Sequence, residues 1–130
     1  MVSEKSIEQK LRMETKKMGG WAVKFSSPGL DGMPDRLVLF PGGKLGFVEL
    51  KAPGKQMRPL QRKRRKQLEA LGFPVFCVDS MEQIQPAIRA LAEWNPGEPI
   101  PTGIGVQVPE IENTELPAKD TEAGKGDDAR

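Results

Sequence analysis

The sequence predicts an α/β (α+β) domain with the order α-β-β-β-α-β-α over residues 3–95, a mixed sheet flanked by helices. Three observations predict it. Helical periodicity opens and closes the segment. Between these lie short β-branched and aromatic runs bounded by Pro and Gly. A strand-helix-strand sequence in its second half requires a crossover and hence a parallel strand pair.

The elements follow in order. Ile7, Leu11 and Met18 share one helical face from Glu4 to Met18, with Ser3 placed to cap the start and Gly19-Gly20 to end it. "WAVKFS" (21–26) reads as a strand and "SPGLDGMP" (27–34) as a loop. "DRLVLF" (35–40) and "KLGFVELK" (44–51) flank "PGG" and form a hairpin. A helix is expected from about Arg58 to Leu71, with Pro59 in its first turn and Gly72 closing it. "PVFCVD" (74–79) is the fourth strand, and parallel pairing with the third is expected. Ser80–Gln83 forms a capping box for a last helix whose buried face is Ile84, Ile88, Leu91 and Trp94. Pro86 should delay or kink its start. Residues 1–95 form the expected domain; residues 96–130 carry ten Pro or Gly and no aromatic residue, an expected disordered tail. "GIGVQV" (103–108) is the tail's one apolar patch, suited to an edge strand or a docking segment.

Composition excludes whole classes of chemistry. The chain has no His and no Tyr, which removes Ser-His-Asp and Cys-His catalysis, His-ligated metals and tyrosine nucleophiles. The single Cys77 excludes an internal disulfide and a multi-thiolate zinc site, and reads as a core thiol. Carboxylates, Lys, hydroxyls and hard metal ions remain. No apolar run reaches membrane-spanning length and no signal peptide is apparent, so a soluble, cytoplasmic protein is expected. Residues 1–95 hold 17 Lys+Arg against 10 Asp+Glu, whereas residues 96–130 hold 3 against 8. A basic body favours a polyanionic partner.

Period-2 alternation places Glu49 and Lys51 on one strand face, with Leu45 and Phe47. Asp35 shares a face with Leu37 and Leu39. A hairpin in register brings Asp35 to Glu49, with Lys51 beside them. Two adjacent carboxylates repel unless a cation lies between them. Mg²⁺ prefers one or two carboxylates and accepts a backbone carbonyl, here that of Leu50. Lys51 could then orient or deprotonate a water, or neutralise charge on a phosphate. An isolated E-x-K is usually a solvated surface pair; the set of charges at one hairpin end favours the catalytic reading. Seven of the twelve residues from Lys55 to Lys66 are basic. Arg62, Lys63, Arg65 and Lys66 are expected to face away from Leu60, Leu68 and Leu71, with Arg64 on the leucine side. With Lys55 and Arg58 they make a candidate phosphate track, and Lys24 and Arg36 are possible additions.

"GMPD" at 32–35, "FVELKAPG" at 47–54 and "PLQ" at 59–61 together resemble the PD-(D/E)XK nuclease core, and more narrowly its VRR-NUC branch, over about residues 4–95. The resemblance implies a restriction-endonuclease-like fold and a Mg²⁺- or Mn²⁺-dependent endonuclease. Asp35 and Glu49 match its metal ligands, Lys51 its catalytic lysine and Gln61 the glutamine of the following helix. Glu4 matches the first-helix glutamate, and helical spacing places it in the inward sector of Ile7 and Leu11. Gln61 could hydrogen-bond a carboxylate or a scissile phosphate. For small phage-type members the resemblance further implies cleavage of branched DNA such as four-way (Holliday) junctions by a homodimer. Two alternatives stand beside this one: a non-catalytic DNA-binding module of the same fold, and a partner-binding protein acting through its acidic tail.

Overall fold

The computed structural model describes residues 1–101. Its elements are α1 (Glu4–Lys17), β1 (Trp21–Lys24), β2 (Arg36–Phe40), β3 (Lys44–Leu50), α2 (Pro59–Ala70), β4 (Val75–Val78) and α3 (Ile84–Glu93), in the order expected from the sequence. The acidic segment beyond 101, with 103–108, lies outside the described residues.

The four strands form one sheet in the order β1-β2-β3-β4. β1 and β2, and β2 and β3, pair antiparallel. β3 and β4 are parallel, as a helix between consecutive strands demands. The β2–β3 turn spans Pro41–Gly43, and both glycines adopt left-handed φ (92° and 76°), which bulkier residues resist. This sets the register Arg36↔Val48 and Leu37↔Phe47.

Two layers of helix cover the sheet. On one face α1 and α3 bury Ile7, Leu11, Ile84, Ile88 and Leu91 against Val38, Phe40, Val48, Leu50, Phe76 and Val78. Gly46 admits α3 closely, since a Cβ there would lie 3.0 Å from the Leu91 side chain. On the other face Leu68 of α2 packs with Phe47 and Val75, beside Phe25 and Leu37. This second core is the smaller one, and it leaves room for polar residues under α2.

Boundaries follow the capping chemistry. Ser3 caps α1 in a reciprocal box with Ser6. After Ser80 the chain makes one 3₁₀ turn (Met81–Gln83) before α3 begins at Ile84, which is the delay expected from Pro86. Pro86 then sits in the first helical turn, where no intrahelical N–H bond is lost. The fourth face residue, Trp94, is buried as expected, and its Nε1–H donates to the Glu98 carbonyl at 3.1 Å. Ile100 also packs on the main core, so contacts continue past residue 95. Among the described residues no helix is long and apolar enough to cross a membrane.

Candidate active site

The hairpin register that pairs Arg36 with Val48 carries Asp35 alongside Glu49. The Asp35 backbone is held firmly: its carbonyl accepts from the Phe25 N–H at 2.9 Å and from Arg36 Nη1 at 3.0 Å. Its carboxylate Oδ1 accepts from the Leu50 N–H at 3.4 Å. Glu49 faces α2 and is only 4 % exposed. Its Oε2 accepts from Gln61 Nε2 at 2.9 Å and lies 3.3 Å from Lys51 Nζ. Its Oε1 is buried and has no hydrogen-bond partner among the described residues. The side chains of Asp35, Glu49, Lys51 and Gln61 thus meet at one end of the sheet, on the α2 side.

Two carboxyl groups, Asp35 and Glu49, lie close together and largely out of solvent here. Burial raises the carboxyl pKa of Asp35, offset in part by the Leu50 N–H and Arg36 and reinforced by Glu4. Burial also raises that of Glu49, reinforced by Asp35 and opposed by Lys51 and Gln61. A raised carboxyl pKa means that the folded state holds the proton more tightly than the unfolded chain. These groups therefore favour folding most at acidic pH, and that contribution is lost as pH rises through their elevated pKa values. Asp35→Asn keeps the acceptor for the Leu50 N–H and removes one charge of the pair. In chelator at pH 7.5 it should melt a few degrees above wild type, the gap closing towards pH 4. Equal melting temperatures across that range would contradict this account.

The remaining sequence candidates divide. Lys55, Arg58, Lys63 and Lys66 are exposed and Arg62 is half-exposed, with its Nη1 donating to the Met57 carbonyl at 2.8 Å. Arg65 is a correction: it is 6 % exposed and pairs with Glu69 Oε2 at 3.0 Å. The buried face of α2 is Gln61, Arg65 and Leu68, while Leu60 and Leu71 are exposed. The helix is turned by about one residue because the sheet beneath offers Gln61 a carboxylate, and Glu69 at i+4 meets the arginine charge. Glu4 is a second correction, since it is exposed and not inward. Helical side chains lean towards the N-terminus, so a first-turn residue projects past the packed part of its helix. Its charge still reaches Asp35. Leu50 meets Asp35 through its N–H, and its side chain lies in the main core.

Sequence reasoning offered Arg36 as a phosphate contact. It is buried, with Nη2 3.5 Å from Glu8 Oε2 of α1, and it braces the Asp35 carbonyl. Alternation with Val38 and Phe40 was the available signal. Glu14 of α1 accepts from Gln85 of α3 and lies 3.7 Å from Lys17. Cys77 is a buried free thiol next to Glu49 in the β3–β4 register, its pKa pushed up to about 11, chiefly by burial.

Among the described residues no three acidic or thiol groups converge to cage a metal. Two carboxylates with one orphaned buried oxygen nevertheless fit a hard divalent ion, which takes its other ligands from water, backbone and substrate oxygens.

No family model matches the chain. Over 91 residues it is 48 % identical to "Putative nuclease p44" of Acyrthosiphon pisum secondary endosymbiont phage 1, covering 68 % of this chain and 98 % of that protein. A solved structure described as "VRR_NUC domain" superposes with a TM-score of 0.63 at 29 % identity, covering 68 % of this chain and 97 % of the other.

Proposed function

The chain belongs to the VRR-NUC family of nucleases, and from that premise we propose that it is a Mg²⁺- or Mn²⁺-dependent endonuclease hydrolysing DNA phosphodiester bonds. The observation that carries the proposal is the convergence of Asp35 and Glu49, with the buried Glu49 Oε1 left without a donor among the described residues.

Asp35 and Glu49 would hold the ion, with the Leu50 carbonyl as a backbone ligand and Glu4 at the rim. When bound, a divalent ion neutralises charge on the scissile phosphate and lowers the pKa of water. The protein's own groups do the rest. Lys51, with its Nζ 3.3 Å from Glu49 Oε2, is aimed by that carboxylate. It is placed to orient the attacking water or to offset charge on the phosphate in the transition state. The exposed Lys55, Arg58, Lys63 and Lys66, with Arg62, form a basic face along α2 that suits a phosphate backbone. Backbone contact of this kind favours recognition by shape over sequence.

The proposal extends to branched DNA cut by a two-fold dimer. The described residues of one chain hold one such site, and resolution of a four-way junction needs two cuts related by symmetry. Supercoiled, linear and four-way DNA incubated with Mg²⁺, Mn²⁺ or chelator tests both levels. Cleavage should require metal, favour the four-way substrate, and come from a species of twice the chain mass. Cleavage that persists in chelator, or no cleavage of any substrate with either metal, would sink the nuclease reading. Equal cutting of all three would remove only the branched-DNA part.

A further inference from the structure

We propose that Gln61 is a positioning residue that acts on Glu49, and not a contact to the scissile phosphate. Its amide is committed at both ends. Oε1 accepts from the backbone N–H of Arg58, the residue that caps α2, at 2.8 Å. A backbone N–H can only donate, so the carbonyl end of the amide must face it. The NH₂ end must then face Glu49, whose carboxylate can only accept, and it donates to Oε2 at 2.9 Å. Gln61 is 6 % exposed, so little of it is open to a substrate.

The consequence falls on Glu49. Its Oε2 takes both the Gln61 NH₂ and the Lys51 ammonium, while the buried Oε1 takes nothing from the described residues. The two oxygens are thereby distinguished: one is spent on holding the side chain, and the other is left free as a single ligand oxygen. Without the clamp, the carboxylate could rotate and offer either oxygen, and Lys51 would lose its fixed neighbour. The same bond ties the first turn of the basic helix to the site, because the cap N–H and the carboxylate share one side chain. This rests on the reading of Glu49 as a metal ligand.

The test measures metal binding without DNA. Calorimetric titration of Mn²⁺ should give about 10–100-fold weaker binding for Gln61→Met than for wild type, the usual effect of losing a partner that orients a ligand. DNA affinity in chelator should stay within about twofold, and the Mn²⁺ concentration for half-maximal cleavage should rise in parallel. Gln61→Asn keeps an amide but is one methylene too short to span both bonds. It should give the same shift and replaces Gln61→Met if that variant unfolds. Unchanged Mn²⁺ affinity, or DNA affinity lost in chelator, would overturn the proposal. Glu49→Gln separates the two levels: if it binds Mn²⁺ as tightly as wild type, Glu49 is not a ligand and the underlying reading fails. If Glu49→Gln loses the metal and the Gln61 variants do not, only the positioning role fails.

Discussion

Lys51→Ala should lower DNA cleavage by about 10²–10⁴-fold at saturating metal, the range typical of a lost proton-transfer or charge-stabilising group. The variant should fold, because Glu49 keeps its bond from Gln61 and the Lys51 N–H still donates to the Val78 carbonyl at 2.9 Å. What disappears is the ammonium 3.3 Å from Glu49 Oε2, on a side chain 16 % exposed and so within reach of a substrate. Lys51→Arg sharpens the reading. Arginine keeps the positive charge but cannot give up a proton at any pH the fold survives. Retention of more than about a tenth of the wild-type rate would assign Lys51 to charge neutralisation, and a loss as deep as that of Lys51→Ala to proton handling. Wild-type rates for Lys51→Ala on every substrate would remove the proposed function, and with it the reading of the two carboxylates.

The largest effect on stability is expected at Phe76. Its side chain is 1 % exposed, lies beside Val48 in the β3–β4 register, and belongs to the core that holds α1 and α3 to the sheet. Truncating such a ring costs about 3–5 kcal/mol, because transfer energy and cavity formation add. That is a large part of the roughly 5–15 kcal/mol that holds a domain together. At about 4–8 °C per kcal/mol for a domain of this size, Phe76→Ala should melt on the order of 15 °C or more below wild type. Leu71→Ala is the control. The sequence placed Leu71 on the buried face of α2, but it is 73 % exposed, so its loss should fall within about 0.5 kcal/mol. Thermal or urea unfolding of both variants decides the matter. Shifts of equal size would mean that the burial pattern of α2 and β4 is not as described.

The two corrections on the helices have different physical origins. In α2 the composition is so basic that leucines at 60, 68 and 71 looked like the only available core face. The face that is buried instead carries a glutamine and an arginine, each with a specific acceptor, Glu49 and Glu69. Hydropathy cannot register such a choice, since a buried polar side chain is tolerated only when a partner is present and the partner lies on another element or another turn. Glu4 erred the other way: its angular position was read correctly, but whether a first-turn residue is covered depends on what packs beyond the helix end.

Element order, the hairpin and the identity of the charges at its end are legible in the residues alone. Those follow from local rules: a period of two, a period of 3.6, two glycines able to take left-handed φ, and caps at Ser3 and Ser80. Which basic residues face outward, that Arg36 braces Asp35, and that one Glu49 oxygen is bound while the other has no partner among the described residues follow from the packed fold. These are properties of pairs brought together across the sheet, from α1, β2, β3 and α2, and their energies depend on burial that no single segment carries.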